Sequence, residues 1–220
     1  MEQYPPFPFR AENLPPHLKA QCLTGHGSQQ VVEAEGLQVE LLNLGTVYEL
    51  KIKGNGKIIF ETVEGGPFVY AIYYADLDNN RLKDFIMFSS YLGCGLAGYN
   101  DRVDILLQTE RYTFSHIHYD TMSASLKDIV DINQDGISEV IFSGFYSGRR
   151  HNYFVYSIYE IKNAELHNAN KKYSQFFPKF IRFTHKPNDQ QSTKITIEEK
   201  KEFLERLPGV IKKLAGDAKQ

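Results

Sequence analysis

Two nine-residue stretches limit what this chain can fold into: Asp76-Leu77-Asp78-Asn79-Asn80-Arg81-Leu82-Lys83-Asp84 and Asp131-Ile132-Asn133-Gln134-Asp135-Gly136-Ile137-Ser138-Glu139. Both put oxygen-bearing side chains at positions 1, 3, 5 and 9 of the stretch. A tight loop turns such alternating residues inward, so Asp76, Asp78, Asn80 and Asp84 can surround one hard cation, as can Asp131, Asn133, Asp135 and Glu139. Calcium fits, since it takes about 6 to 8 oxygen ligands in a flexible shell. The backbone carbonyls of Leu82 and Ile137, with water, would complete the two shells. Each stretch carries three carboxylates, which repel one another or hold a proton unless a cation lies between them.

The flanks of both stretches read as strands. Val47–Lys53 alternates apolar with polar residues, and Asn55-Gly56 separates it from a second β-like run, Lys57–Val63. Asn-Gly between two such runs is a strong hairpin signal. Phe68–Ala75 runs into the first acidic loop and Phe85–Phe88 leaves it. Val103–Leu107, Thr113–Tyr119 and Leu126–Val130 lead to the second loop, and Val140–Phe142 leaves it. The first aspartates of the two loops are 55 positions apart, and a third unit begins at Tyr153–Ile161, with Phe180–Phe183 as its second strand. A period of this size, with several strands in each unit, predicts blades or stacked sheets that cover one another's apolar faces. The content of 14 Tyr and 15 Phe with no Trp, much of it in these runs, agrees with a β-rich domain.

Residues 1–30 read as a proline-rich arm, 31–190 as the β-repeat domain, and 191–220 as a C-terminal helical segment. Tyr4, Phe7 and Phe9 favour an arm strapped to the body over a free proline-rich ligand, because a free arm leaves its aromatics in water. In the helical segment Phe203, Leu204 and Leu207 share one face, Thr196 with Glu199 has the form of a capping box, and Pro208-Gly209 ends the helix. Val210–Leu214 reads as a further helical turn.

The acidic stretches are not EF-hand loops. Position 12, which needs a carboxylate there, is Met87 or Phe142, and the flanks are strands rather than helices. They resemble the calcium loop of FG-GAP repeats, also called VCBS-type repeats, found in integrin α-subunit-like β-propellers and many bacterial exported proteins. Its pattern, Asp-x-Asp/Asn-x-Asp-Gly-x-x-Asp between two strands, is followed closely by Asp131–Glu139, with Glu139 in place of the last aspartate. Asp76–Asp84 departs from it, because Arg81 stands where Gly136 stands in the second loop. If that position needs positive φ, arginine costs about 1 kcal/mol or more relative to glycine, so the second loop is expected to be the firmer site. The resemblance covers about residues 47–160. Two or three units cannot close a ring of about seven blades. The expected fold is therefore all-β with a C-terminal helix, built from open meander units.

A formal charge of −2, with no basic cluster interleaved with aromatics, gives no drive toward nucleic acid, and none is expected as a partner. No apolar run approaches the length of a membrane-spanning helix. Cys22 and Cys94 lack zinc-site spacing and leave open either one disulfide or two buried thiols. His116 and His118 alternate on a strand and could face a zinc ion, but the sequence identifies no third ligand, and a half-buried strand face explains them as well. Gly93–Gly98 lacks the Lys-Ser/Thr of a phosphate loop, and Arg149-Arg150-His151 is a local basic spot at a turn.

The reading these features favour is a non-enzymatic protein binding one or two calcium ions, exported to the periplasm or beyond, with a surface for protein or glycan. Export is preferred because calcium is abundant outside the cell, where sites of about 10⁻⁴ to 10⁻³ M dissociation constant fill. The alternatives are a hydrolase acting on a cell-wall or polysaccharide substrate, which needs two carboxylates free of metal in a cleft, and a cytoplasmic interaction module with vacant loops.

Overall fold

Asn55 and Gly56 both adopt positive φ, 52° and 75°, the requirement of the two-residue hairpin turn whose twist matches its strands. They join β4 (Val47–Gly54) to β5 (Lys57–Gly65). Inward Tyr48, Leu50 and Ile52 alternate along β4 with outward Glu49, Lys51 and Lys53. The outward lysines pair with acids on neighbouring strands, Lys51 with Glu61 at 3.1 Å and Lys53 with Glu40 at 2.5 Å. With β2 (Gln29–Ala34) and β3 (Leu37–Asn43), these strands form a sheet in the order β2-β3-β4-β5.

The computed structural model describes residues 19–21, 29–34, 36–44, 47–65, 68–91, 100–148, 151–183, 195–206 and 210–211. Most of the proline-rich arm, both cysteines, the 93–98 glycine run, Arg149, Arg150 and Leu207 to Gly209 lie outside the described residues. Within the arm, Lys19–Gln21 forms β1, which pairs with β6.

A second sheet has the order β1-β6-β7-β8-β9, from β6 (Phe68–Ala75), β7 (Asp84–Tyr91), β8 (Asn100–Glu110) and β9 (Thr113–Thr121). The third contains β10 (Ile129–Val130), β11 (Glu139–Ser147), β12 (Asn152–Lys162), β13 (Glu165–Asn168) and β15 (Val210–Ile211) in that order, with β14 (Lys179–Phe183) beside the other half of β12. All strand pairs are antiparallel and each sheet is open. The fold is thus all-β with a C-terminal helix, as the sequence predicts.

The β1-β6-β7-β8-β9 sheet is the middle layer. Phe85, Met87 and Leu106 on one face join Tyr48, Leu50 and Ile52 of the first sheet in one core. On the other face, Ile86, Phe88, Val103, Ile105 and Leu107 meet Ile129, Val140, Tyr159 and Ile161 of the third. Two-sided burial explains the unbroken apolar runs Phe85–Phe88 in β7 and Ile105–Leu107 in β8.

Polar residues inside the first interface are tied together. Tyr48 Oη donates to Asp104 Oδ2 at 2.8 Å, Arg102 Nε reaches both Asp104 oxygens at 3.1 Å, and His116 Nε2 lies 2.8 Å from Asp104 Oδ1. Desolvation opposes charge on Asp104, but the His116 hydrogen bond and the Arg102 guanidinium outweigh it and hold the carboxyl below its ordinary range.

Three local expectations change. Leu126–Val130 is a 3₁₀ turn, Leu126–Asp128, followed by β10 rather than one strand. Val210–Ile211 is a strand paired with β13, not a helical turn, because Leu166 offers Ile211 an antiparallel partner. In α1 (Ile197–Arg206) the face turned inward carries Glu199 and Phe203, while Leu204 is exposed. Phe203 meets Tyr146 and Phe180, with ring centroids 5.2 and 5.1 Å away. Glu199 accepts from Tyr153 Oη at 3.4 Å, and its N–H donates to Thr196 Oγ1 at 3.2 Å in the expected cap. No helix among the described residues is long and apolar enough to cross a membrane.

Ile105→Ala, in the fully buried centre of β8, is expected to lower the unfolding free energy in urea by about 2 to 5 kcal/mol. Ile58→Ala, on the half-exposed edge strand β5, should stay within about 0.5 kcal/mol of the parent.

Candidate metal centre

Leu77, the second residue of the first acidic loop, is fully buried in the core between the middle and third sheets. It anchors a loop whose own side chains close it. Asp76 accepts from the backbone N–H of Asn80 at 3.1 Å and of Arg81 at 2.7 Å, and Asn80 Oδ1 accepts from Leu82 N–H at 2.7 Å. Asp84, at the start of β7, reaches back to Leu77 N–H at 2.7 Å. Short acceptor side chains that cap their own backbone in this way are the reason Asp and Asn dominate such turns.

The second loop repeats this pattern position by position. Asp131 accepts from Asp135 and Gly136 N–H at 3.1 and 2.9 Å, Asp135 Oδ1 from Ile137 N–H at 2.8 Å, and Glu139 from Ile132 N–H at 2.9 Å. Asn133 Nδ2 donates to Asp135 Oδ2 at 2.7 Å. The left-handed positions also coincide: Asn79 and Arg81 at φ 62° and 68°, Gln134 and Gly136 at 60° and 87°. Arg81 therefore adopts the conformation in which glycine is the easier residue.

The loops differ in how their acids gather. In the first, Asp76, Asp78 and Asp84 each present a carboxylate oxygen, all within 4.8 Å of one another. Asp84 has no exposed surface and accepts a further bond from Gln108 N–H of β8 at 2.8 Å. Desolvation pushes its carboxyl from the ordinary 3.8 up to about 8, against the Leu77 and Gln108 hydrogen bonds and with added repulsion from Asp78 and Asp76. Asp78 is raised as well, by desolvation first and by the Asp76 charge. Asn80 Nδ2 is turned to Asp78 Oδ2 at 3.2 Å and to the Gln108 carbonyl at 2.8 Å, and its Oδ1 takes the Leu82 N–H.

Asp131, Asp135 and Glu139 form no comparably close triad. The extra methylene of Glu139 carries its outer oxygen to the Tyr173 hydroxyl, which donates to it. Desolvation raises the Glu139 carboxyl despite the Tyr173 bond. The closer carboxylate group therefore belongs to the loop bearing Arg81 rather than to the one bearing Gly136, the reverse of what the glycine alone suggests.

The two loops also touch. Ser138 N–H donates to the Leu77 carbonyl at 2.7 Å, Asn79 Nδ2 to the Asp135 carbonyl at 3.4 Å, and a Cβ on Gly136 would stand 2.7 Å from Asn79 Nδ2. Tyr173 and the Gln108 backbone have no signal in the loop sequences, since tertiary packing alone brings them there.

The donor set of the first loop is all oxygen and carries more negative charge than its burial favours, so it fits a hard divalent cation such as calcium or magnesium. Without a cation, the acids raised by burial work against folding as they ionise. A carboxyl raised in the folded state contributes stability that is complete below its unfolded value and is lost as pH climbs through the folded one. For Asp84 that window runs from 3.8 to about 8. The melting temperature in a chelator should therefore fall across it, and the gap between cation-loaded and chelated protein should widen as pH rises; scanning calorimetry at stepped pH reads both. Comparison with protein-family models, with characterised proteins and with solved structures finds no match to this chain, so geometry carries the reading of the site.

Proposed function

We propose that this chain is a calcium-binding, non-catalytic β-scaffold, exported from the cell that makes it, whose layered sheets present a surface to a protein or glycan. The observation that carries the calcium reading is the Asp76, Asp78 and Asp84 group, three carboxylates gathered within 4.8 Å at the rim of the middle sheet. A cation there would bind β6 to β7 where the strands diverge, and Asp84, through Leu77 and Gln108 N–H, would pass that restraint to β8. The loop brings three carboxylates together, and with the Leu82 carbonyl and water completing the shell the arrangement suits a structural clip. Export and the FG-GAP/VCBS-type resemblance belong together in this reading, since calcium outside the cell is abundant enough to fill weak sites.

Thermal unfolding of the purified chain in calcium and in chelator tests the proposal. Calcium at about 100 times its dissociation constant adds about 2.7 kcal/mol, or roughly 5 to 10 °C for a protein of this size. Asp78→Ala is the discriminating variant, because Asp78 makes longer local bonds, 3.3 Å to Asn80 N–H and 3.2 Å to Asn80 Nδ2, than the 2.7 Å bonds through which Asp76 and Asp84 hold the loop. It should melt in chelator close to the parent and lose most of the rise with calcium. No rise in the parent, or the full rise in the variant, would remove calcium at this loop from the account.

A further inference from the structure

The alternation of His116 and His118 acquires its missing third partner in the fold. Register places Asp104 of β8 directly opposite His118 of β9, with Leu106 opposite His116. Directly paired residues share a face, so both imidazoles and the carboxylate lie on the side of the middle sheet that meets β4. One ligand atom from each of the three lies within 4.8 Å of the others. The rings of His116 and His118 stand 5.5 Å apart between centroids, inclined at 54°.

From this geometry we propose that Asp104, His116 and His118 form a second metal site, for a borderline divalent transition ion of the zinc class, at the interface between the middle and first sheets. Two imidazole nitrogens and one carboxylate oxygen are the donors such ions favour, whereas the all-oxygen Asp76, Asp78 and Asp84 loop favours a hard ion. The site lies on strands rather than a loop, and its acid is oriented by outer partners on one oxygen: Tyr48 donates to Asp104 Oδ2 at 2.8 Å, and Arg102 Nε to the same Oδ2 at 3.1 Å. Metal ligands are typically held by such contacts. Asp104 and His116 are buried while His118 is half-buried, which puts the approach for an ion, and a coordination position left to water, on the His118 side.

Metal–donor distances of about 2.0 to 2.2 Å place tetrahedral donors roughly 3.3 Å apart, so His116 Nε2 and Asp104 Oδ1, now 2.8 Å apart, would open slightly to admit the ion while the His118 nitrogen, within 4.8 Å of its partners, closes on it. On binding, Oδ1 of Asp104 exchanges its contacts with His116 Nε2 and Arg102 Nη2 for the ion, and Oδ2 keeps Tyr48 and Arg102 Nε. The Arg102 guanidinium repels a dication, so the site should bind more weakly than a closed structural zinc centre.

Cobalt(II) added to the chelator-treated 220-residue chain reads the site directly, through visible d–d bands that are lost when zinc(II) displaces the cobalt. The expected result is one equivalent of cobalt with nitrogen-ligand bands in the parent and in Asp78→Ala, and at least a tenfold weaker affinity in His118→Ala. His118 is chosen because its removal leaves the Tyr48, Arg102 and His116 bonds to Asp104 in place. Circular dichroism confirms the fold of each variant, and His118→Gln, which keeps more of the side-chain volume, takes its place if alanine unfolds the chain. Absence of bands in the parent, or bands unchanged in a folded His118 variant, overturns the site. Bands lost in Asp78→Ala but kept in the His118 variant overturn it too, by placing cobalt in the acidic loop. None of these outcomes depends on calcium occupying that loop.

Discussion

The middle sheet has a core on each side of it. Ile105 and Leu106 are neighbours on β8, yet one faces the third sheet and the other the first, and neither has any exposed surface. Burying apolar side chains at roughly 1.5 to 3 kcal/mol each is the largest favourable term available to a chain of this kind, and here it is collected on both faces of the same strands. Ser89 Oγ and Ser90 Oγ on β7 have no hydrogen-bond partner among the described residues, but a buried acid on those strands must find one inside the protein, because an unpaired buried charge costs more still. Asp104 does so through Arg102, His116 and Tyr48. Asp84 does so through the backbone N–H groups of Leu77 and Gln108.

These two buried acids show how differently one constraint can be met. Asp104 is surrounded by a guanidinium, an imidazole and a hydroxyl, and its carboxyl is held down in spite of burial. Asp84 receives only neutral donors and faces two further acids, and its carboxyl is pushed up to about 8. Backbone N–H groups contribute partial charges, which offset part of the desolvation penalty but do not cancel a cluster of like charges. The middle layer thus holds Asp104 as an ion, whereas Asp84, beside two further acids, favours its protonated form up to about pH 8.

What the sequence made legible was whatever is encoded within a few residues. Asn55-Gly56 announced its hairpin, the Thr196 and Glu199 pair announced its cap, and the acidic stretches announced loops whose hydrogen bonds run from each side chain to its own backbone. Features set by partners far along the chain were not legible. Tyr173 reaches Glu139 across 34 positions and Asp104 reaches Tyr48 across 56. The helix illustrates the same limit, because helical spacing picked out Leu204 for burial while the surface beneath α1 offered Tyr153 a partner in Glu199 and an aromatic niche to Phe203. Periodicity identifies candidate faces, and only the receiving surface decides which one turns inward.

The histidines make the point most sharply. On β9 alone His116 and His118 are two imidazoles on one side of a strand, a pattern that half-buried strands produce without any function. The third donor comes from β8, in register with His118, and no property of the Ser115–Tyr119 segment could have named it. Register in turn follows from the burial of β8 on both faces, because a slip of one residue would carry Asp104 into the apolar core around Ile105 and Val103 and expose those residues to the polar network instead. The same packing that fixes the core thus fixes which donors meet. The chemistry at Asp104 is a consequence of how the middle sheet is buried rather than a motif set on top of it.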